Sequence, residues 1–356
     1  MSDVPELDAA GLPEELSAFD QILHRGEANP RTRSGIMTLE ILDTTPDWDR
    51  FRTRFDNASR KVLRLRQKVV SPTLPTVAPR WVIDPDFNLD FHVRRLRLPE
   101  PGTLRQLMDL ADVAAQSPLD ISRPLWTATL VEGLEDGCAA VMMHLSHAVT
   151  DGVGAVEMFA HIYDLEREPP QQDVPPLPIP QDLSPNDLMR QGINRLPGSI
   201  LGGVRGALFG AAHVVGEMVR DPISRMGSAV EYAMSGARVV GPVAPPSPVL
   251  RRRSLSSRSE AIDIEFGHLH KAAKAAGGSI NDAYLAGLCG SLRLYHEAKG
   301  VPIDALPMAV PVNLRSEADP AGGNRFAGVN LAAPIGLTDP EVRVKNIRSQ
   351  MTRKRE

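Results

Sequence analysis

The chain has 356 residues, with 40 Lys plus Arg against 44 Asp plus Glu, a formal net charge of −4 and 42% hydrophobic residues. At about 100–200 residues per domain this length suggests two domains, and the composition excludes a disordered chain, a nucleic-acid binder working by bulk charge and an acidic solvating tail. Proline is the outlier: 31 residues stand well above the usual share of roughly 5%.

Met37 to Leu42 is strand-like and Trp48 to Arg66 helical. His92 to Leu98 alternates as a strand, and Thr103 to Ala115 reads as a helix with Thr103 as N-cap and Leu107, Leu110 and Ala114 on one face. Trp126 to Val131 and Cys138 to Met143 are two strands joined by a Gly-Leu-Glu-Asp-Gly turn, a hairpin. Val153 to Leu165 is a helix with Val156, Phe159 and Tyr163 as its apolar face. Further on, Ala261 to Phe266 alternates as a strand, and Ser279-Ile-Asn-Asp282 has the form that starts a helix. That helix carries Leu285, Leu288, Leu292 and Tyr295 on one face. Met308 to Val312 is a strand, and Asp339-Pro340 opens a helix with Val344, Ile347 and Met351 in one stripe. The mixture predicts an α/β sandwich.

Two proline clusters, from Pro169 to Pro185 and from Pro242 to Pro248, bracket a glycine- and alanine-rich stretch. They predict an N-terminal domain over 1–170, a helical connector over 171–250 and a C-terminal unit over 251–356. Leu196 to Val219 is the most membrane-like segment, but Arg205, His213 and Glu217 interrupt it, so it reads as a packed or surface-lying helix rather than a span. The N-terminus lacks a basic segment followed by an apolar one, and Cys138 and Cys289 fit neither a disulfide nor a zinc pattern. A cytoplasmic protein is predicted, with peripheral attachment to the inner membrane or to lipid inclusions left open.

The residues that carry chemistry are His144-Leu-Ser146-His147-Ala-Val-Thr-Asp151-Gly152, where an apolar strand meets a turn and then a helix. An imidazole with an ordinary pKa of about 6.5 can take up a proton near neutrality. Three readings stay open: a general base at His147, two histidines satisfied structurally, or a metal bound by His144, His147 and Asp151. The last is opposed by the strand geometry, which sends positions i and i+3 to opposite faces. A Ser146 nucleophile is disfavoured, because neighbouring side chains diverge.

With Ser146-His147-Ala-Val-Thr-Asp151-Gly152 as its centre, the chain resembles the bacterial wax ester synthase/diacylglycerol acyltransferase family, whose motif is His-His-x-x-x-Asp-Gly. Phe87-Asn-Leu-Asp90-Phe-His92-Val-Arg94 and Leu119-Asp120-Ile-Ser-Arg123-Pro124-Leu125-Trp126 precede it, as in the family. Ser279-Ile-Asn281-Asp282, Pro311-Val-Asn-Leu-Arg315 and Gly323-Asn324 follow in the family's order. The resemblance covers most of the chain from about residue 80 onward. It implies two related α/β domains of the CoA-dependent acyltransferase (chloramphenicol acetyltransferase-like) type, enclosing a tunnel with the histidine where they meet. It further implies transfer of a long-chain acyl group from acyl-CoA to diacylglycerol or a fatty alcohol, giving triacylglycerol or wax ester, with His147 as general base. No cofactor, metal or nucleic acid is implied beyond acyl-CoA as substrate.

By the same resemblance Asp151 is structural and pairs with an arginine, Arg315 being the suggested one, and Gly152 permits the turn. Asn281 and Asp282 either shape the site or only cap their helix. Arg251, Arg252 and Arg253 either meet the phosphates of coenzyme A or form a solvated run. Ser146 departs from the family in replacing the first histidine. The family's chains also run on beyond the position of Glu356, which leads to the expectation of an incomplete second domain, in a fragment or a shortened paralogue. Two other functions therefore stand beside the first: a paralogue that binds acyl chains or lipid surfaces without turnover, and an acyltransferase or condensation-type enzyme with another acceptor.

Overall fold

The N-terminal sheet begins with β1 (Gly35–Leu42), which follows a short helix α1 (Ala18–Gly26) capped by the Ser17 hydroxyl. Helix α2 (Trp48–Lys61) starts at Asp47, whose carboxylate accepts from Arg50 N at 2.8 Å, and buries Phe51, Phe55 and Ala58 at one-turn spacing. A small hairpin of β2 (Gln67–Val70) and β3 (Arg80–Ile83) comes next, then one helical turn, α3 (Leu89–His92), running directly into β4 (Val93–Arg97). Helix α4 (Leu104–Gln116) is the crossover from β4 to β5 (Trp126–Glu132), which pair in parallel. Strand β6 (Ala139–Ser146) and helix α5 (Gly152–Ile162) follow. The computed structural model describes residues 14–73, 77–164, 166, 174–195, 243–251, 254–313 and 326–353.

The main sheet has the order β1-β6-β5-β4, antiparallel except for the β4–β5 pair. Every residue of β6 is buried, because it lies inside the sheet with a helical layer on each face. On one face Ala140 and Met142 pack with Val131 against Leu107 and Ala111 of α4. On the other, Val141, Met143 and Leu145 join Trp126, Ala128 and Leu130 against Phe51 and Phe55 of α2 and Met158 and Ile162 of α5. Trp126 anchors this second layer, stacking on Phe55 and donating its indole N–H to Leu65 O at 2.7 Å.

The chain divides into two compact units. The first contains the main sheet and reclaims Leu255–Ser259, where the Asp112 carboxylate of α4 accepts from the Ser259 backbone N–H at 2.9 Å and its hydroxyl at 2.6 Å. Helix α6 (Pro185–Arg195), in the expected connector, packs Leu188 onto Val70 and Val82 of the small hairpin. The rest of that segment, including the Leu196 to Val219 stretch, lies outside the described residues.

The second unit holds α7 (Phe266–Ala275), α8 (Ile280–Ala298), an antiparallel pair β7 (Leu306–Asn313) and β8 (Phe326–Ala333), and α9 (Pro340–Arg353). Val344, Ile347 and Met351 face inward as expected. His296 is held on both nitrogens, at 2.7 Å to Leu292 O and 2.7 Å to the Ser247 hydroxyl.

Three sequence expectations are corrected. The stretch Ala261 to Phe266 is no strand: Ile262 and Ile264 are exposed, and α7 starts at Phe266, so the alternation finds no partner strand. Of the expected face of α5, Phe159 and Tyr163 pack partly buried against the core, but Val156 is 67% exposed, and the fully buried positions are Ala155, Met158 and Ile162. In α8 Leu285 and Leu292 face the core as expected, but Leu288 and Tyr295 turn outward and Ala283, Ala286, Cys289 and Gly290 take buried positions, because the small residues allow close helix packing.

Candidate active site

Strand β6 ends at Ser146, and the chain reverses through His147, Ala148 and Val149 before α5. Val149 N donates to Ser146 O at 3.0 Å, and His147 N donates to Ser34 O at 3.2 Å, just before β1. Ala148, Val149 and Thr150 are buried, whereas His147 is half-buried, with Nδ1 as its inward nitrogen. Asp151 is buried and caps α5, its Oδ1 accepting from Gly154 N at 2.8 Å. Gly152 is the first residue of α5 rather than the turn itself, which lies upstream. The sequence has thus placed one imidazole at a strand end, on backbone fixed from both sides.

Ser146 does not face His147 as a nucleophile would. Its hydroxyl donates to Glu27 Oε1 at 2.7 Å and accepts from Ala148 N at 3.2 Å. Glu27, the C-cap of α1, is only 2% exposed, and its Oε2 lies 3.9 Å from Arg33 Nε. Burial pushes its carboxyl above the usual range, against the opposing pull of the Ser146 hydrogen bond and the Arg33 charge. Arg33 itself is pinned by two carbonyls, Glu27 O at 3.2 Å and Gln116 O at 2.8 Å.

His144 points to the α4 side of the sheet, as do its cross-strand partners Met37 and Thr127. Burial, with a smaller contribution from the Arg33 charge, lowers its pKa to about 4, so the ring is neutral. Its Nε2 is buried without a hydrogen-bond partner among the described residues. The ring borders a cavity of about 410 Å³ whose walls include Met142, Thr127, Thr129, Leu119, Arg94 and Arg95. His147 is not part of that wall, so the two histidines serve separate surroundings. Among the described residues no three His, Cys, Asp or Glu side chains converge as a metal site would require.

The other predicted site residues divide. Asp282 is buried and forms a capping box, accepting from the Ser279 N–H and hydroxyl, both at 2.8 Å, while Asn281 is exposed. Asp282 thus caps its helix, and its Oδ2 also lies 4.0 Å from Arg348 Nη1. Arg251 is exposed. Arg252, Arg253 and Arg315 lie outside the described residues. Reading the sequence did not find Glu27 or Arg33, since nothing local to a carboxylate at the end of α1 indicates that it meets a strand end 119 positions later. It also did not find His92 as a structural histidine. That ring stacks between Phe87 and Trp126 and bonds Trp126 O at 2.7 Å, and burial holds its pKa at about 4.

Comparison with known proteins accounts for this arrangement. A family model described as the wax ester synthase/diacylglycerol acyltransferase catalytic domain matches residues 7–284. A Mycobacterium tuberculosis protein named as a diacylglycerol O-acyltransferase is 70% identical over 345 residues, covering 97% of this chain and 70% of its own length. A second one from that organism is 31% identical over 304 residues, covering 83% of this chain and 62% of its own. Among solved structures, the wax ester synthase/diacylglycerol acyltransferase of Marinobacter aquaeolei VT8 is similar with a TM-score of 0.56 at 18% identity, over 95% of this chain and 72% of that one. The first condensation domain of the calcium-dependent antibiotic synthetase is similar with a TM-score of 0.60 at 15% identity, over 95% and 74%. At these identities the structural likeness speaks for the α/β acyltransferase fold, and the family follows from the sequence matches. The chain belongs to the wax ester synthase/diacylglycerol acyltransferase family.

Proposed function

We propose that this chain transfers a long-chain acyl group from acyl-CoA to the hydroxyl of diacylglycerol or a fatty alcohol, with His147 as general base. The observation that carries the reading is the setting of His147: half-buried at a strand end, on a turn held by Ser34 O and by the Asp151-capped helix. With Nδ1 turned inward, Nε2 takes the proton of the acceptor hydroxyl. The acceptor oxygen's lone pair forms a bond to the thioester carbonyl carbon, and the C=O π pair moves onto the carbonyl oxygen. The tetrahedral oxyanion then collapses, the C–S bond breaks, and coenzyme A leaves as thiolate, which the histidinium protonates. A thiol pKa near 8.5 makes that departure far easier than loss of an alkoxide.

The support is the family membership, the position of the motif residues and the absence of any competing nucleophile geometry at Ser146, whose hydroxyl is committed to Glu27. The test is release of free thiol from palmitoyl-CoA, alone and with diacylglycerol, hexadecanol or a long-chain amine. Hydroxyl-dependent release that falls on the order of 10²–10⁴-fold in His147→Ala is expected. Release unchanged in that variant overturns the base assignment. Release stimulated by the amine alone points to the other acceptor class, and acyl-CoA binding with no release to a non-enzymatic paralogue.

A further inference from the structure

The segment between α1 and β1 touches the His147 turn in three ways. Ser34 O accepts from His147 N at 3.2 Å, Gly35 is the register partner of Ser146, and the Glu27 carboxylate accepts from the Ser146 hydroxyl at 2.7 Å. The first two are backbone relations that almost any sequence could supply. The third depends on one buried side chain.

The Ser146 hydroxyl has a single proton. Because Oγ also accepts from Ala148 N inside the turn, that proton has to go elsewhere, and Glu27 Oε1 receives it. The hydroxyl therefore bridges α1 to the peptide that follows His147. The carboxyl is itself held in place: Glu27 caps α1, and Arg33, fixed by two carbonyls, stands 3.9 Å from the second oxygen. Burying a carboxyl is costly unless it is hydrogen-bonded, and among the described residues the side chain that hydrogen-bonds Glu27 is Ser146.

From this geometry we propose that Glu27 is a positioning residue, acting through the Ser146 hydroxyl to fix the turn that presents the His147 imidazole. The proposal rests on His147 being the base for its catalytic meaning, but the positional claim stands or falls separately. Loss of the bridge leaves Ala148 N without its acceptor orientation and frees the turn on one side. Displacements on the order of 1 Å at a reacting group reduce turnover about 10²-fold.

The experiment uses the full chain as wild type, Glu27→Ala, Glu27→Gln, Ser146→Ala and the Glu27→Ala/Ser146→Ala double variant. Two readouts are taken: kcat and KM for thiol release, and the carbon-bound Cε1 proton and carbon resonance of the His147 ring, assigned by its loss in His147→Ala. In Glu27→Ala the His147 resonance is expected to move while that of His92, in the stacked core, stays. Turnover should fall on the order of 10–100-fold with little change in KM. Glu27→Gln, whose amide oxygen still accepts from Ser146, should restore the resonance and most of the turnover. The double variant should be no worse than either single one, because both remove the same bridge. A His147 resonance unmoved in Glu27→Ala and Ser146→Ala overturns the proposal. Should Glu27→Ala fail to fold, Ser146→Ala and Glu27→Gln decide it by the same resonance. If the resonance moves as expected but thiol release does not depend on His147, the positional claim holds and the base assignment is what fails.

Discussion

Gly35 lies directly against the His144 imidazole: a Cβ added to the glycine would stand 2.7 Å from Nε2. The close approach is possible only without a side chain at the start of β1, and it puts the neutral ring over the backbone of the neighbouring strand.

Gly35→Ala is therefore expected to push the His144 ring off its place, with overpacking of about 1–3 kcal/mol. For a protein of this size that lowers the melting temperature by roughly 2–4 °C per kcal/mol. His144→Ala should relieve the clash, so the double variant should be more stable than the sum of the two single losses predicts. Thermal melts of the four proteins check this, and strict additivity would contradict the contact.

The pH dependence of stability follows from the buried histidines. His144 and His92 have pKa values of about 4 in the fold, against about 6.5 unfolded, so the unfolded chain binds more protons between those values. Stability falls as pH drops from about 6.5 to about 4, by up to roughly 3 kcal/mol for each ring. Glu27 works in the opposite sense. Its raised carboxyl pKa gives a contribution that is present below about 4.5 and lost as pH rises. Urea midpoints between pH 7.5 and pH 4.5 should thus show a shallower slope for His144→Asn and a steeper one for Glu27→Gln.

Asp151 is held by its cap to Gly154 N, and the loss of a cap costs about 0.5–2 kcal/mol. Asp151→Asn keeps the accepting oxygen and should retain α5, whereas Asp151→Ala should lower the melting temperature. Equal melting of the two variants would show that the charge of Asp151, rather than its cap, is what matters. Circular dichroism melts at neutral pH separate the outcomes.

Where local rules govern, the sequence is a good guide. Thr103 caps α4 and forms a capping box with Gln106, the β5–β6 hairpin pairs as its turn predicts, and the α9 stripe faces inward. Where long-range pairing decides, the sequence is silent. The β2–β3 hairpin has strands of only four residues, and β6 is apolar on both faces, so neither its neighbours nor the direction of His144 can be read from a period of two. The face of α5 is legible only in part, Phe159 and Tyr163 packing on the core while Val156 turns outward, because that helix is apolar nearly all round and its phase is left to packing. The turn that carries His147 is legible because the strand, the turn and the capping Asp151 lie in one short run. Glu27 is not, because its role exists only once two distant segments meet.

That meeting has a consequence for the order of assembly. The β5–β6 hairpin closes over a few residues, whereas β1 pairs β6 across about a hundred, from Gly35 with Ser146 to Leu42 with Ala139. Contacts of such long separation carry the larger loop-closure cost and form late. During synthesis, then, the earliest strand of the sheet waits for its partner, and the turn carrying His147 is fixed against the Ser34–Gly35 end of that strand only once the long-range pairing closes.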